Sequence, residues 1–181
     1  MRVITGIARG RRLETLSGNE VRPTTDMVKE AVFSIIQFQV QGRVFLDMFA
    51  GSGQMGIEAL SRGAKGAYFC DMKREAVSVI KKNLKETRLE KDAQVYQGDS
   101  LAFAKITSQK FDIAFLDPPY NKGITEKALQ VLPGVMNKGG VIICETAIEE
   151  ALPESVGDFT LDRTYRYGKI KITTYRLPEE E

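Results

Sequence analysis

The segment Leu116–Tyr120 places an acid, two prolines and a tyrosine directly after an apolar run. Two prolines hold the backbone rigid, so the Asp117 carboxylate and the Pro118 carbonyl can accept both hydrogens of an exocyclic amino group. Tyr120 can stack on the ring that carries this group. A plain turn after a buried strand explains one proline but not the whole segment. The segment therefore predicts a pocket for a flat base with an amino substituent.

The chemistry that this pocket favours is methyl transfer to the amino nitrogen. Such a nitrogen is a poor nucleophile because its lone pair is delocalised into the ring. Two acceptors bias it toward tetrahedral geometry and stabilise the developing positive charge, with Asp117, Pro118 and Tyr120 as the catalytic residues. This chemistry needs no histidine, and the chain has none, which argues against Ser-His-Asp catalysis and zinc hydrolysis. A stacked base would have to leave its helix to enter.

A glycine motif upstream predicts a second ligand. Gly51, Gly53 and Gly56 form a G-x-G-x-x-G pattern, which lets a backbone approach a ligand at the start of a helix. The motif also fits a dinucleotide site or a tight turn without a ligand. Asp47, two residues before the end of the predicted strand, would repel a pyrophosphate but accept hydrogen bonds from an ammonium group. This favours the methionine end of S-adenosylmethionine over the phosphates of NAD.

Further acids follow the next predicted strands. Asp71 lies 20 residues after Gly51, where a carboxylate can accept hydrogen bonds from the ribose hydroxyls of either cofactor. Met72 can pack on an adenine face, and Asp99 can accept from the adenine amino group. Each acid alone is typical of a strand end or a turn, but together they indicate a cofactor site.

The elements that must position these residues alternate along the chain. Apolar runs predict strands at 44–49, 66–71, 93–99, 111–117 and 140–145, and helices are predicted at 54–62, 73–88, 100–106 and 123–132. Near-continuous apolar strands between helices indicate an α/β, Rossmann-like fold with a mostly parallel sheet. Ligands of such sheets bind at the carboxyl ends of the strands, where the four acids are expected to gather.

Both ends of the chain depart from this alternation. β-like stretches at Arg2–Ile7 and Arg12–Leu16 precede a helix predicted in "TTDMVKEAVFSIIQ", with Thr24 or Thr25 as its cap. The tail "FTLDRTYRYGKIKITTYRL" predicts a hairpin that adds antiparallel strands to the sheet.

The charge distribution favours a polyanionic partner. The net charge is only +2, but Met1–Arg22 carries five arginines against two glutamates, and Arg163–Arg176 carries five basic residues and no acid. Solvated charges on ordinary strands are the competing interpretation. The residues expected to contact RNA phosphates are Arg9, Arg11, Arg12, Arg166 and Lys169.

Length and composition bound the remaining possibilities. A chain of 181 residues with 43% hydrophobic content is expected to form one main domain, residues 41–181, after a small β and helix extension, residues 1–40. Cys70 and Cys144 lie in apolar runs and predict buried thiols, with neither a disulfide nor a metal site. The sequence shows no secretory signal or membrane-length apolar run, so a cytoplasmic protein is expected.

The motifs in combination resemble a known group of enzymes. "FLDMFAGSGQMGIEAL", "DPPY" and the acids between them resemble the amino-methylating class I methyltransferases. "RVITGIARGRRL", "RPTTDMVKEAVFSII" and "RYGKIKITTY" are similar to segments of the RsmD-type bacterial 16S rRNA guanine-N2 methyltransferases. This narrower resemblance spans nearly the whole chain.

The resemblance implies transfer of a methyl group from S-adenosylmethionine to one guanine, conventionally position 966, in 16S rRNA. The implied substrate is the assembled or partly assembled small subunit, and the target base would contact Asp117, Pro118 and Tyr120. The cofactor residues implied by position are Thr24, Asp47, Gly51, Gly53, Asp71, Asp99 and Ser100. A monomer without a metal or a membrane partner is expected.

Three other functions remain open at this point. The pocket segment also fits the N6 amino group of adenine in DNA or other RNA, although an extension of residues 1–40 is small for a domain that reads DNA sequence. A nicotinamide-dependent oxidoreductase would use the glycine motif but leaves the Asp-Pro-Pro-Tyr segment unexplained. A catalytically silent RNA-binding scaffold would not need Asp117 and Tyr120.

Overall fold

The computed structural model describes residues 1–17 and 25–178. The helices are α1 (Asp26–Ile35), α2 (Gln54–Ser61), α3 (Arg74–Thr87), α4 (Ser100–Ile106) and α5 (Ile124–Val131). The strands are β1 (Val44–Asp47), β2 (Gly66–Asp71), β3 (Ala93–Gln97), β4 (Phe111–Leu116), β5 (Met136–Ala147), β6 (Ser155–Val156), β7 (Phe159–Tyr167) and β8 (Ile170–Arg176). Within these ranges no helix has the length and apolar character needed to cross a membrane.

The strands form one eight-stranded sheet in the order β3-β2-β1-β4-β5-β8-β7-β6. β3, β2, β1, β4 and β5 are parallel, and β8, β7 and β6 continue the sheet in antiparallel pairs. This arrangement confirms the predicted α/β fold with a mostly parallel sheet and an antiparallel C-terminal hairpin. Strand order reverses between the neighbours β1 and β4, and open α/β sheets bind their ligands at such a reversal.

Helices bury both faces of the parallel part of the sheet. Phe45, Phe69 and Phe115 pack with the apolar sides of α1, α2 and α3. Cys70 and Cys144 lie in the opposite layer with α4 and α5, and both thiols are buried and free, as predicted. Because both sides of each central strand are covered, its apolar residues follow one another without alternation.

The bounds of the first four strands, β1 to β4, lie within two residues of the predicted ones. β2 has the predicted bounds, whereas β5 runs from Met136 to Ala147 and exceeds the apolar run at 140–145. The added length follows from pairing at both ends, because Met136 pairs with Phe111 of β4, and Thr146 and Ala147 pair with β8. Thr25 caps α1, and its Oγ1 accepts a hydrogen bond from the Val28 N–H at 3.3 Å.

The N-terminal loop, residues 1–17, is less extended than predicted. In this segment a single antiparallel bridge joins Arg2 to Arg12. The N–H groups of Ile4 and Thr5 donate instead to the two carboxylate oxygens of Glu58, at 2.8 and 3.0 Å. The Glu58 side chain of α2 thus accepts the hydrogen bonds that a neighbouring strand would otherwise have accepted. The predicted β-like stretches shrink to one bridge for this reason.

Two further contacts fix the N-terminal loop on the helices. Lys29 on α1 is fully buried, and its Nζ donates to the Arg2 carbonyl at 2.7 Å. Asn83 on α3 accepts from the Glu14 N–H at 2.8 Å and donates to the carbonyls of Glu14 and Ser52, each at 3.0 Å. The loop packs against the main core, and a domain division at residue 40 stays a prediction.

Candidate active site

A large cavity opens at the carboxyl ends of the parallel strands, where β1 and β4 lie side by side. Its volume is about 1090 Å³, just above the ~300–1,000 Å³ typical of ligand pockets. Predicted site residues that line it are Asp47, Gly51, Asp71, Met72, Asp99, Ser100, Asp117, Pro118, Tyr120 and Lys169. One space therefore receives both the predicted cofactor residues and the predicted catalytic residues.

The glycines of the motif have different tasks. Gly51 has a φ of 57°, and a Cβ added there would meet nothing nearer than Leu16 Cδ1 at 4.0 Å, so its surface faces the cavity. Gly53 caps α2 with a φ of 81° and packs closely on Ile80. A Cβ at Gly56 would lie 2.3 Å from the ring of Phe69. Gly51 thus allows a ligand to approach, while Gly53 and Gly56 allow α2 to pack on its neighbours.

Asp47 is the last residue of β1, because the chain turns into the glycine loop two residues earlier than predicted. Its side chain is almost fully buried, and its Oδ2 accepts a hydrogen bond from the Gly56 N–H at 3.1 Å. Burial raises the pKa of Asp47 to about 8; the Gly56 bond opposes this rise and the nearby charge of Asp71 adds to it. Asp47 therefore takes up or loses a proton near neutral pH.

Two further acids lie at the ends of the neighbouring strands: Asp71 is the last residue of β2, and Asp99 follows β3. Asp71 Oδ2 accepts from the Gly51 N–H at 3.0 Å, and its Oδ1 accepts from the Lys73 N–H at 2.9 Å, so this carboxylate ties β2 to the glycine loop. Asp99 lies two residues beyond the end of β3 and caps α4 through a 2.8 Å bond from the Leu101 N–H. The prediction that Asp99 ends β3 is therefore wrong: Asp99 is the N-cap of α4, and it still lines the cavity.

The remaining predicted cofactor residues differ in exposure. Met72 is 70% exposed at the edge of the cavity, and Ser100 is buried at the start of α4. Thr24 falls outside the described residues, so its implied role as a cofactor residue stays a prediction.

The Asp117–Tyr120 segment leaves β4 directly beside β1. Asp117 follows the last residue of β4, and Pro118 is buried, so the loop is anchored in the protein at its first proline. The Tyr120 hydroxyl donates to Glu145 Oε1 at 3.0 Å, and Glu145 is itself 2% exposed on β5. The ring of Tyr120 is thus held from the adjacent strand.

Glu145 and two lysines at the cavity were not predicted from the sequence. Glu145 reaches Tyr120 because β5 lies next to β4, a proximity that depends on strand order. Lys122 and Lys127 line the cavity just after the Tyr120 loop. The sequence does contain a signal for these lysines, since they follow Tyr120 by only two and seven residues.

The predicted RNA-binding residues divide into two groups. Arg9, Arg11 and Arg12 are exposed on the N-terminal loop, whose Thr15 and Leu16 line the cavity. Arg166 and Lys169 are exposed in the β7–β8 hairpin, and Lys169 lines the cavity. Contact of these five residues with RNA stays a prediction.

The sheet order, the glycine loop and the cavity together define the fold of the class I S-adenosylmethionine-dependent methyltransferases. The solved structure of the YhhF protein of Escherichia coli matches with a TM-score of 0.87 at 31% identity over 99% of both chains. An RNA methyltransferase from Salinibacter ruber, solved in complex with S-adenosylhomocysteine, shares the fold with a TM-score of 0.69 at 20% identity, over 88% of this chain and 96% of that chain.

Sequence comparison narrows the class to one family. A family model described as Conserved hypothetical protein 95 matches residues 1–176. YlbH of Bacillus subtilis, named as a candidate rRNA methyltransferase, is 40% identical over 97% of this chain and 98% of that protein. Ribosomal RNA small subunit methyltransferase D of Haemophilus influenzae is 38% identical over 98% of this chain and 92% of that protein. The chain belongs to this family, the RsmD family, which confirms the resemblance seen in the sequence.

Proposed function

We propose that this chain transfers a methyl group from S-adenosylmethionine to the N2 amino group of a guanine in the 16S rRNA of the small ribosomal subunit. One observation carries the proposal: the Asp117–Tyr120 loop lines the same cavity as Asp47, Asp71 and Asp99, the acids at or just after the ends of β1, β2 and β3. An electrophile bound by the acids and a base held by the loop therefore meet where strand order reverses.

The residues present fit the cofactor. The open surface at Gly51 leaves room for a close ligand, and Asp71 and Asp99 offer carboxylate oxygens beside it. Asp47 is a buried acid whose charged form needs a cation, which suits the ammonium group of the methionine part. When bound, the cofactor supplies an electrophilic methyl group.

The residues of the β4 loop act on the target base. The Asp117 carboxylate and the Pro118 carbonyl accept the two hydrogens of the amino group, which orients its lone pair and stabilises the charge that develops on nitrogen. Tyr120 stacks on the ring, and its bond to Glu145 fixes the plane in which it stacks. After transfer, the amino proton leaves to Asp117 or to water.

Two observations support rRNA as the substrate. The relative from Haemophilus influenzae is named as a small subunit rRNA methyltransferase, and it covers nearly the whole chain. Exposed basic residues flank the cavity from the N-terminal loop and from the β7–β8 hairpin. We further propose that the chain acts as a cytoplasmic monomer on an assembled or partly assembled subunit, at the guanine that the family resemblance implies.

The test is methyl transfer to small subunits from a strain that lacks this chain. Subunits are incubated with radiolabelled S-adenosylmethionine, and the labelled nucleoside is identified by mass spectrometry. N2-methylguanosine at one site is expected. Asp117→Ala should lower kcat about 100-fold or more, because one acceptor of the developing charge is lost.

Two variants of Tyr120 separate stacking from positioning. Tyr120→Ala should raise KM for the subunit about tenfold or more, consistent with ~1–3 kcal/mol for stacking of a base on an aromatic ring. Tyr120→Phe keeps the ring but loses the bond to Glu145, so a smaller effect is expected. Label in N6-methyladenosine, or full activity of Asp117→Ala, would contradict the proposal.

A further inference from the structure

The two halves of the cavity differ in charge. The half formed after β1, β2 and β3 contains the carboxylates of Asp47, Asp71 and Asp99, together with Lys73. These acids suit the ammonium and hydroxyl groups of the cofactor. Repulsion between carboxylates and phosphates makes this half unsuitable for an RNA backbone.

The other half is formed after β4 and at the turn between β7 and β8. Three exposed lysines line it, Lys122, Lys127 and Lys169. Among residues 1–17 and 25–178, none of the three forms an ion pair with an acid. Asp117 and Glu149 are the acids of this half, and Glu149 accepts a 3.5 Å hydrogen bond from the Asn121 side chain.

The backbone that carries these lysines is held in place. The Asn121 N–H donates to Glu150 Oε2 at 3.4 Å, and Gly123 caps α5 in the left-handed conformation, which fixes the segment that contains Lys122. The Lys169 carbonyl accepts from the Ile148 N–H at 3.2 Å, which joins the hairpin turn to the end of β5. The lysines therefore stand on two anchored segments beside the base-binding loop.

We propose that Lys122, Lys127 and Lys169 form a phosphate-binding rim for the RNA backbone next to the target nucleotide. The inference rests on the proposed function. A base that enters the Asp117–Tyr120 loop stays bonded to its ribose, so the phosphates on either side of it must lie at the mouth of this half of the cavity. Lysine ammonium groups bind phosphates as point charges, and unpaired ones lose no partner in doing so.

The experiment compares the salt dependence of binding for matched variants. Small subunits that lack the methylation are titrated with wild-type protein, with Lys122→Gln/Lys127→Gln and with Lys169→Gln, all in the presence of S-adenosylhomocysteine. Lys81→Gln/Lys85→Gln, two exposed positions of α3 outside the cavity, is the control. Melting temperature and S-adenosylhomocysteine affinity are measured for each variant, because neutralised surface lysines should change neither.

The rim variants should bind more weakly and with a shallower salt dependence. Each lost phosphate contact should reduce the slope of log K against log salt by about 0.7–0.9, so the double variant should lose about 1.4–1.8. KM for the subunit should rise about tenfold, while kcat at saturation changes less than about twofold. If the rim variants behave like the α3 control, the rim does not exist. If wild-type protein methylates no guanine, the proposed function fails first, and the two failures are distinguishable.

Discussion

Asp47 is a carboxyl group that the fold holds out of water at the end of β1. Burial raises its pKa to about 8, so in the free protein most molecules carry a proton there at pH 7. An ammonium group beside this side chain favours the charged carboxylate and lowers its pKa. Binding of a cofactor that carries such a group is therefore linked to release of a proton.

We expect the affinity for S-adenosylhomocysteine to rise with pH up to about 8, the pKa of Asp47 in the free protein, and to level off above it. The affinity rises with pH because, below this pH, the free protein holds more protons than the complex, so binding releases protons. The increase is at most about tenfold per pH unit for a single proton. Calorimetric titration at pH 6 to 9, in two buffers of different ionisation enthalpy, measures both affinity and protons released.

Asp47→Asn is the control for this linkage. It keeps the shape of the side chain and an oxygen that can accept from the Gly56 N–H, but it cannot ionise. Its binding should be weaker and nearly independent of pH from 6 to 8. Equal proton release by the wild type and Asp47→Asn would show that another group titrates.

The sequence predicts which acids and loops lie at the cavity, but not which side chains contact them. Asp117 and Tyr120 stand out because two prolines between them are unusual in a strand end. Glu145 carries no comparable signal, since a glutamate in an apolar run is informative only once β5 is known to lie beside β4. The raised pKa of Asp47 likewise depends on burial that the sequence does not specify.

At the scale of elements, the N-terminal loop reaches the far end of α2. Gly6 has a φ of 93°, and a Cβ added there would lie 1.8 Å from the Ser61 carbonyl oxygen. Gly10 has a φ of 82° and would meet nothing within 4 Å. A side chain at either position would strain the backbone, because both have a positive φ. Only a side chain at Gly6 would also collide with the backbone of α2.

We expect Gly6→Ala to lower the melting temperature more than Gly10→Ala does. The collision cannot be relieved by a side-chain rotation, and overpacking costs typically ~1–3 kcal/mol, or about 2–12 °C for a chain of this size. Hydrogen exchange at Ile4, Thr5 and Ala8 should also quicken, because their donated bonds hold the loop on α2. Equal effects of the two substitutions on both measurements would contradict this account of the loop.

Element prediction succeeds where burial is uniform and fails where pairing is distant. The parallel strands are apolar on both sides, so their runs reveal them directly. The N-terminal loop alternates like a strand, yet the N–H groups of Ile4 and Thr5 donate to Glu58, more than 50 residues away. The local hydrophobic pattern of the loop does not indicate such a distant partner.

Across the whole molecule, basic side chains on the N-terminal loop and the β7–β8 hairpin flank the acidic half of the cavity. The net charge of +2 conceals this separation, because the acids lie mainly outside the N-terminal loop and the β7–β8 hairpin. α2 has 8 residues, about 12 Å of helix, so the loop spans from the cavity to the opposite end of α2. Arg11 and Arg12 lie on this loop but do not line the cavity, so an RNA that contacts them would extend beyond the target nucleotide.

We expect Arg11→Glu/Arg12→Glu to weaken subunit binding about tenfold or more and to reduce its salt dependence. Two lost phosphate contacts should lower the salt slope by about 1.4–1.8, and reversed charge adds repulsion. Affinity for S-adenosylhomocysteine should stay unchanged, because neither side chain lines the cavity. Filter binding over a range of salt concentrations measures the effect, with Lys81→Glu/Lys85→Glu as the charge-matched control. If Arg11→Glu/Arg12→Glu methylates subunits as well as the wild type does, these arginines are ordinary solvated surface charges and do not bind RNA.

The attachment of the N-terminal loop also sets an order of events during translation. The loop is made before its partners, because Glu58 is made 54 residues after Ile4, and Asn83 is made 69 residues after Glu14. At about 5–20 residues per second, the ribosome needs roughly 3–14 s to supply Asn83 to Glu14. The N-terminal loop must therefore wait for these helix partners, and it completes the wall of the cavity only after β1, β2 and most of the first three helices have been made.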